Sequence, residues 1–187
     1  NPELARTMSS ESMPDWLVGE WLPQHQAHVR AQMFCDLYEG DGQRALARAQ
    51  EAFPKLKRSL LLRTEGERIE NFYLFSQAAL FAGDPAQAER WLAPLKLEPS
   101  PLAQAFRQAS LAGLLTLRNE PSAAAAYEAA AVLFEKLEMA GYAAVARRRK
   151  GSLLGGAEGD ALVAAADASL RAKGVVAPER WSRIHLV

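Results

Sequence analysis

Gly40-Asp41-Gly42-Gln43-Arg44-Ala45 decides how this chain is read, because it recurs. Gly83-Asp84-Pro85-Ala86-Gln87-Ala88 and Asn119-Glu120-Pro121-Ser122-Ala123-Ala124 repeat it, and Gly156-Ala157-Glu158-Gly159-Asp160-Ala161 is a weaker fourth copy. Their first positions lie 43, 36 and 37 residues apart. A glycine at the head of such a copy accepts the positive φ that a tight turn between helices requires. Long helix-forming stretches flank every copy. One such unit leaves an apolar flank wet, so stacking of neighbouring units is what would build a core.

The flanking stretches carry apolar residues at helical spacing. Ala27, Ala31, Phe34, Cys35 and Tyr38 read as one buried stripe. Ala45, Leu46, Ala49, Ala52, Phe53 and Leu56 mark the partner helix, which Pro54 is expected to kink or end. The longest pattern runs from about residue 58 to 82 through Leu61, Leu62, Ile69, Phe72, Phe75 and Ala79, with Gly66 in its middle implying close packing or a bend. Pro85 suits a first helical turn, and Pro94 limits the helix of Ala88, Trp91, Leu92 and Leu95. Pro99-Ser100-Pro101 opens the next helix (Leu102, Phe106, Ala109, Ala112, Leu115), and Pro121 its partner (Tyr127, Ala131, Phe134). A last pair covers Tyr142 to about Leu154 and Ala161 to Ala172. Gly174 stops it, and Pro178 heads a short cap. No segment alternates as a strand would. The expected fold is all-α: an α-solenoid of about four degenerate tetratricopeptide (TPR)-like hairpins with a short C-terminal cap.

Residues 1–15, rich in serine and weakly periodic, read as a flexible lead-in or linker, and residues 16–187 as the helical repeat domain. Trp16, Leu17, Trp21 and Leu22 are expected to form an apolar lid on the first unit. Ala45, Ala88, Ala124 and Ala161 are small where two helices approach to about 8–10 Å. Phe34, Phe72, Phe75, Trp91, Phe106 and Phe134 would fill the spaces between pairs.

Composition narrows the function classes. The 22 basic and 22 acidic side chains of this 187-residue chain cancel, which argues against a nucleic-acid partner. One cysteine, Cys35, allows no intramolecular disulfide and suits a reducing, cytoplasmic setting. No apolar run reaches the roughly 18 residues of a membrane span. The start at Asn1-Pro2-Glu3, with neither Met nor an apolar leader, is expected of a piece of a larger protein.

Residues that could carry chemistry are sparse. His25 and His28 lack further ligands for a metal, and His185 is isolated in sequence. Cys35 sits in an apolar stripe. Gly151-Ser152-Leu153-Leu154-Gly155-Gly156 lacks the Lys-Ser/Thr of a phosphate loop and reads as a helix end. Arg147-Arg148-Arg149-Lys150 radiate around a helix, some expected to pair with Glu135 or Glu138. Arg58, Arg63 and Arg68 are expected to neutralise Glu65, Glu67 and Glu70. No catalytic residue, cofactor site or metal site is assigned. In a TPR array the first helix of each pair faces a concave groove. That register puts Glu70, Tyr73 and Gln77 into the groove, with Arg30 and Phe34 as their counterparts in the first unit, while Phe72 and Phe75 turn inward.

Arg58-Ser59-Leu60-Leu61-Leu62-Arg63 with Arg68-Ile69-Glu70 carries a family resemblance. It continues through Tyr142-Ala143-Ala144, Ala146-Arg147-Arg148-Arg149, Leu153-Leu154-Gly155-Gly156, Glu158-Gly159, Ala161-Leu162-Val163 and Ala166-Asp167, and closes on Gly174, Pro178 and Arg180. Over about residues 16–184 the chain resembles the C-terminal TPR-like region of bacterial Hanks-type serine/threonine protein kinases, especially those of myxobacteria. Ser169-Leu170 stands where those proteins tend to have Trp-Met, and no glycine-rich loop, His-Arg-Asp or Asp-Phe-Gly is present. The resemblance implies a non-catalytic interaction or scaffolding module whose parent is a signalling kinase, with a protein or peptide partner or self-association. The alternative is a regulatory sensor domain that binds a small ligand between helices, as in signalling ATPases or transcription regulators.

Overall fold

A computed structural model of the chain describes residues 1–13 and 20–187. Ten α-helices and no strand are found among the described residues. They are α1 (Pro2–Glu11), α2 (Pro23–Glu39), α3 (Gly42–Arg58), α4 (Glu65–Phe81), α5 (Pro85–Leu92), α6 (Pro101–Leu117), α7 (Ala123–Lys136), α8 (Ala140–Leu154), α9 (Gly156–Ala172) and α10 (Pro178–His185). Each helix packs on the next in chain order. In addition α2 touches α4, α4 touches α6, and α10 reaches back to α2 and α8.

The recurring turn has one physical form. Gly40 (φ 90°), Gly83 (φ 75°) and Asn119 (φ 55°) all take the left-handed conformation. The next residue's amide then bonds the carbonyl five residues back: Asp41 to Asp36 (2.8 Å), Asp84 to Ala79 (2.9 Å) and Glu120 to Leu115 (2.9 Å). This closure satisfies carbonyls that a helix end leaves orphaned. Asp41 and Asp84 also cap the following helix, accepting from the Arg44 and Gln87 amides at 2.9 Å. The same closure ends α7, at Glu138 and Met139, and α9, at Gly174 and Val175. The fourth sequence copy behaves differently. The α8–α9 turn lies at Gly155, and Gly156 to Ala161 form the start of α9.

Helix α4 is the centre of the core. Residues 71–80 are buried without a break, which a helix tolerates only when neighbours cover every face. On one side Phe53, Phe72, Phe75 and Trp91 form an edge-to-face cluster with Phe53 and Trp91 4.6 Å apart. On the other, Ser76 and Gln77 meet Ser110 of α6 at 2.9 and 2.8 Å. Polar α4 residues are therefore paired where they are buried, as the desolvation cost demands.

Several expectations need correction. Residues 2–11 of the expected lead-in form α1, capped by Asn1 and tied to α2. Trp16, Leu17 and Gly19 lie outside the described residues; Trp21 stacks on His25 and donates to Gln26 at 3.1 Å. α3 runs through Pro54 to Arg58, because buried Leu56 and packed Phe53 offset the lost backbone bond. The long pattern from residue 58 is split by a 3-10 turn, Leu61–Arg63, so Gly66 falls in the first turn of α4 with open space beside it. α7 begins at Ala123, and Ala123 is buried where Ala124 was expected. Ala161 is exposed, and the close approach of α8 to α9 is made by Gly151 and Gly159 instead. A Cβ on Gly151 would stand 2.7 Å from the Gly159 carbonyl oxygen.

The first helix differs most. Phe34 is 38 % exposed, and the face of α2 that packs inward carries Gln26, Met33, Asp36 and Leu37. The Asp36 side chain is 0 % exposed and accepts from Arg6 of α1 (2.8 Å) and from Arg44 (2.7 Å) and Arg48 (2.6 Å) of α3. Three helices are thus pinned to one buried carboxylate. Asp36→Ala is expected to cost about 2–3 kcal/mol in guanidinium denaturation, with the guanidiniums' access to solvent limiting the loss.

Candidate functional site

Side chains of the even-numbered helices α2, α4, α6 and α8 converge. Arg30 and Phe34 of α2, Glu70 and Tyr73 of α4, and Phe106 of α6 line a cavity of about 290 Å³ with Tyr142, Ile184 and His185. A continuous series of rings runs along its wall and on to Trp181. Tyr73 stacks on Phe106 at 4.1 Å, Phe106 meets Tyr142 at 5.4 Å, Tyr142 meets His185 at 4.7 Å, and His185 meets Trp181 at 4.2 Å. At the mouth Arg30 Nη1 bonds Glu70 at 2.7 Å and Glu67 at 3.2 Å. These acids are therefore engaged by α2, while Arg68 pairs with Glu98 at 2.6 Å; the expected mutual neutralisation with Arg58 and Arg63 is not the arrangement found.

Residues of α10 border this cavity. After α9, residues 173–177 lead to α10, which lies across α2, α8 and α9. The main chain then extends at Leu186 (φ −149°, ψ 138°). Its polar groups are met by side chains from three helices. The Tyr73 hydroxyl donates to the His185 oxygen and the Tyr127 hydroxyl to the Val187 oxygen. Arg149 Nε and Nη2 donate to the Leu186 oxygen at 2.9 and 2.6 Å. The Val187 amide donates to Gln77 Oε1 at 3.1 Å. The Leu186 side chain is 0 % exposed.

Protonation states fit these roles. Burial pushes the Tyr73 phenol well above its usual value and raises Tyr127, so both hydroxyls keep the proton they donate. Tyr142 is pushed up to about 12 by burial and then by Glu70. Burial lowers Arg149, whose guanidinium is spent on a carbonyl; no ion pair to it is found among the described residues. Its neighbours in the charge run do pair: Arg147 with Glu135 and Glu128, Arg148 with Asp167, and Lys150 with Glu128. Burial drives His185 down to about 4.

Of the sequence-read positions, Arg30, Phe34, Glu70 and Tyr73 share the cavity wall. Gln77 lies deeper, fully buried between Ser110 and Val187. Arg149, Tyr127, Ser110 and the 184–187 segment were not singled out as site residues. Their signals in sequence are weak: a cation inside a charge run, a tyrosine at a core spacing, and a lone histidine after the cap. Cys35 is buried, and burial raises its thiol. His28 meets Ser9 at 2.9 Å. Comparison with protein-family models, curated proteins and solved structures finds no match for this chain. Among the described residues no helix is long and apolar enough to cross a membrane.

His185 gives a pH test. A histidine kept neutral by burial takes up fewer protons than the unfolded chain between its folded value of about 4 and the usual 6.5. Stability is full above that window and falls as pH drops through it, by about 3 kcal/mol if the whole shift is expressed. Thermal midpoints of the wild-type chain should drop between pH 6.5 and 4 more steeply than those of His185→Leu, which lacks the titrating group.

Proposed function

We propose that this chain is a non-catalytic protein-interaction module: a cytoplasmic α-solenoid of about four degenerate TPR-like hairpins that holds a protein or peptide partner in a groove. One observation carries the reading. Side chains of α2, α4, α6 and α8 line one cavity, and beside it the main chain that leaves α10 is held by Tyr73, Gln77, Tyr127 and Arg149. Packing of every helix on its sequence neighbour supports a repeat array, because contacts between nearest units are what stabilise one. The sequence resemblance supports a place at the C-terminal side of a bacterial signalling serine/threonine kinase. The near balance of charge supports a protein partner over nucleic acid, and self-association fits the same surface.

A second reading has its own observation. The cavity of about 290 Å³ walled by Phe34, Tyr73, Phe106 and Tyr142, with Arg30 and Glu70 at its mouth, has the character of a small-ligand pocket. It favours a regulatory sensor domain.

Phe34→Asp and Arg30→Glu alter the mouth of the groove at positions that are not fully buried. Each should reduce the amount of partner retained from host lysate at least about tenfold, a loss of roughly 1.4 kcal/mol or more. Leu97→Asp, at an exposed position away from the groove, should retain it. Equal retention by all three would overturn the interaction reading. A metabolite that raises the thermal midpoint of the wild-type chain but not of Phe34→Asp would favour the sensor.

A further inference from the structure

We propose that the site recognises the main chain of a partner segment that passes from a helical turn into extended chain and carries one buried aliphatic side chain, and that residues 184–187 hold the same place in cis until that segment displaces them. This rests on the interaction reading above and specifies its ligand.

The contacts to residues 185–187 fit a receptor for main chain. Two carbonyl oxygens, one further main-chain oxygen and one amide are each met by a side chain. Any L-peptide that leaves a helical turn and extends at the next residue offers those groups at the same spacing, so the contacts impose conformation and not sequence. Sequence enters at Leu186, whose side chain alone of the segment is completely enclosed. An aliphatic residue satisfies that enclosure and a charged one does not.

Exchange is favoured over simple departure. If the segment left without a replacement, Gln77, Tyr127 and Arg149 would lose partners inside a partly apolar groove, which is costly for buried polar groups. An incoming segment restores all of them. The cis segment follows α10, which residues 173–177 join to α9; that joint holds the left-handed Gly174 and Val176, 94 % exposed. The segment leaves room on both sides: the cavity of about 290 Å³ borders Ile184 and His185, and another of about 550 Å³ borders Val187. A longer segment in the same track would fill space that the cis segment leaves empty. The tether gives the cis segment an effective concentration in the millimolar range, so a partner must out-compete it or meet a weakened copy.

The probe is an N-terminally fluorescein-labelled, C-terminally amidated peptide of residues 180–187, titrated by fluorescence anisotropy against the full chain. Leu186→Asp, which weakens the cis segment, should bind it at least about tenfold more tightly than the wild-type chain does. Adding Arg149→Ala to that chain, or Asp for the leucine in the probe, should remove the gain. Loss of protection at the Leu186 and Val187 amides of the wild-type chain under excess probe reads the same displacement if Leu186→Asp folds poorly. Equal binding to both chains, or none to a folded Leu186→Asp chain, overturns the inference. If that happens while Phe34→Asp still loses its partner, the interaction reading stands without it. A wild-type dimer that the probe dissociates would overturn the cis assignment in favour of a second copy's segment.

Discussion

A main chain that passes through protein must have its N–H and C=O groups met; the Leu186 amide is met by the Ser182 carbonyl, and the His185, Leu186 and Val187 oxygens and the Val187 amide are met by side chains. The donors and acceptor come from α4 and from the consecutive helices α7 and α8. The contacts therefore tie these helices to one another as well as to the segment. α10 adds a second tie, lying against α2 early in the chain and against α8 and α9 late in it. Sequential packing alone would leave those helices linked only through their neighbours. The segment turns a chain of pairwise contacts into a closed set.

The turns were legible because their chemistry is local. Gly40, Gly83 and Asn119 take positive φ for reasons visible in the residue type, and Asp41 and Asp84 cap helices through their own side chains. Pro54 and the 3-10 turn at Leu61 were not legible, since tertiary burial of Phe53 and Leu56 decides them. The inward face of α2 misled for a related reason. A buried Asp36 is stable only with Arg6, Arg44 and Arg48 around it, and no periodicity of apolar residues announces such a face. The fourth turn copy failed because glycine has two uses. At Gly155 it supplies a left-handed turn, whereas Gly151 and Gly159 supply close helix contact.

Part of the candidate site could be read in advance. Arg30, Phe34, Glu70 and Tyr73 follow from helical register, which fixes side-chain direction once the first helix of each unit is identified. Arg149 could not be separated from Arg147, Arg148 and Lys150, because all four are basic and only structure shows three with carboxylates and one on a carbonyl. Residues 184–187 were the least accessible. Their docking depends on contacts 37 to 112 residues away in sequence.

Amide hydrogen exchange at Val187 tests the account most directly, since its N–H has one partner, Gln77 Oε1. The docked segment predicts exchange slowed by orders of magnitude in the free chain, and restored toward the rate of an unstructured peptide by Gln77→Ala. Exchange at the unstructured rate in a chain whose α4 amides remain protected would contradict it.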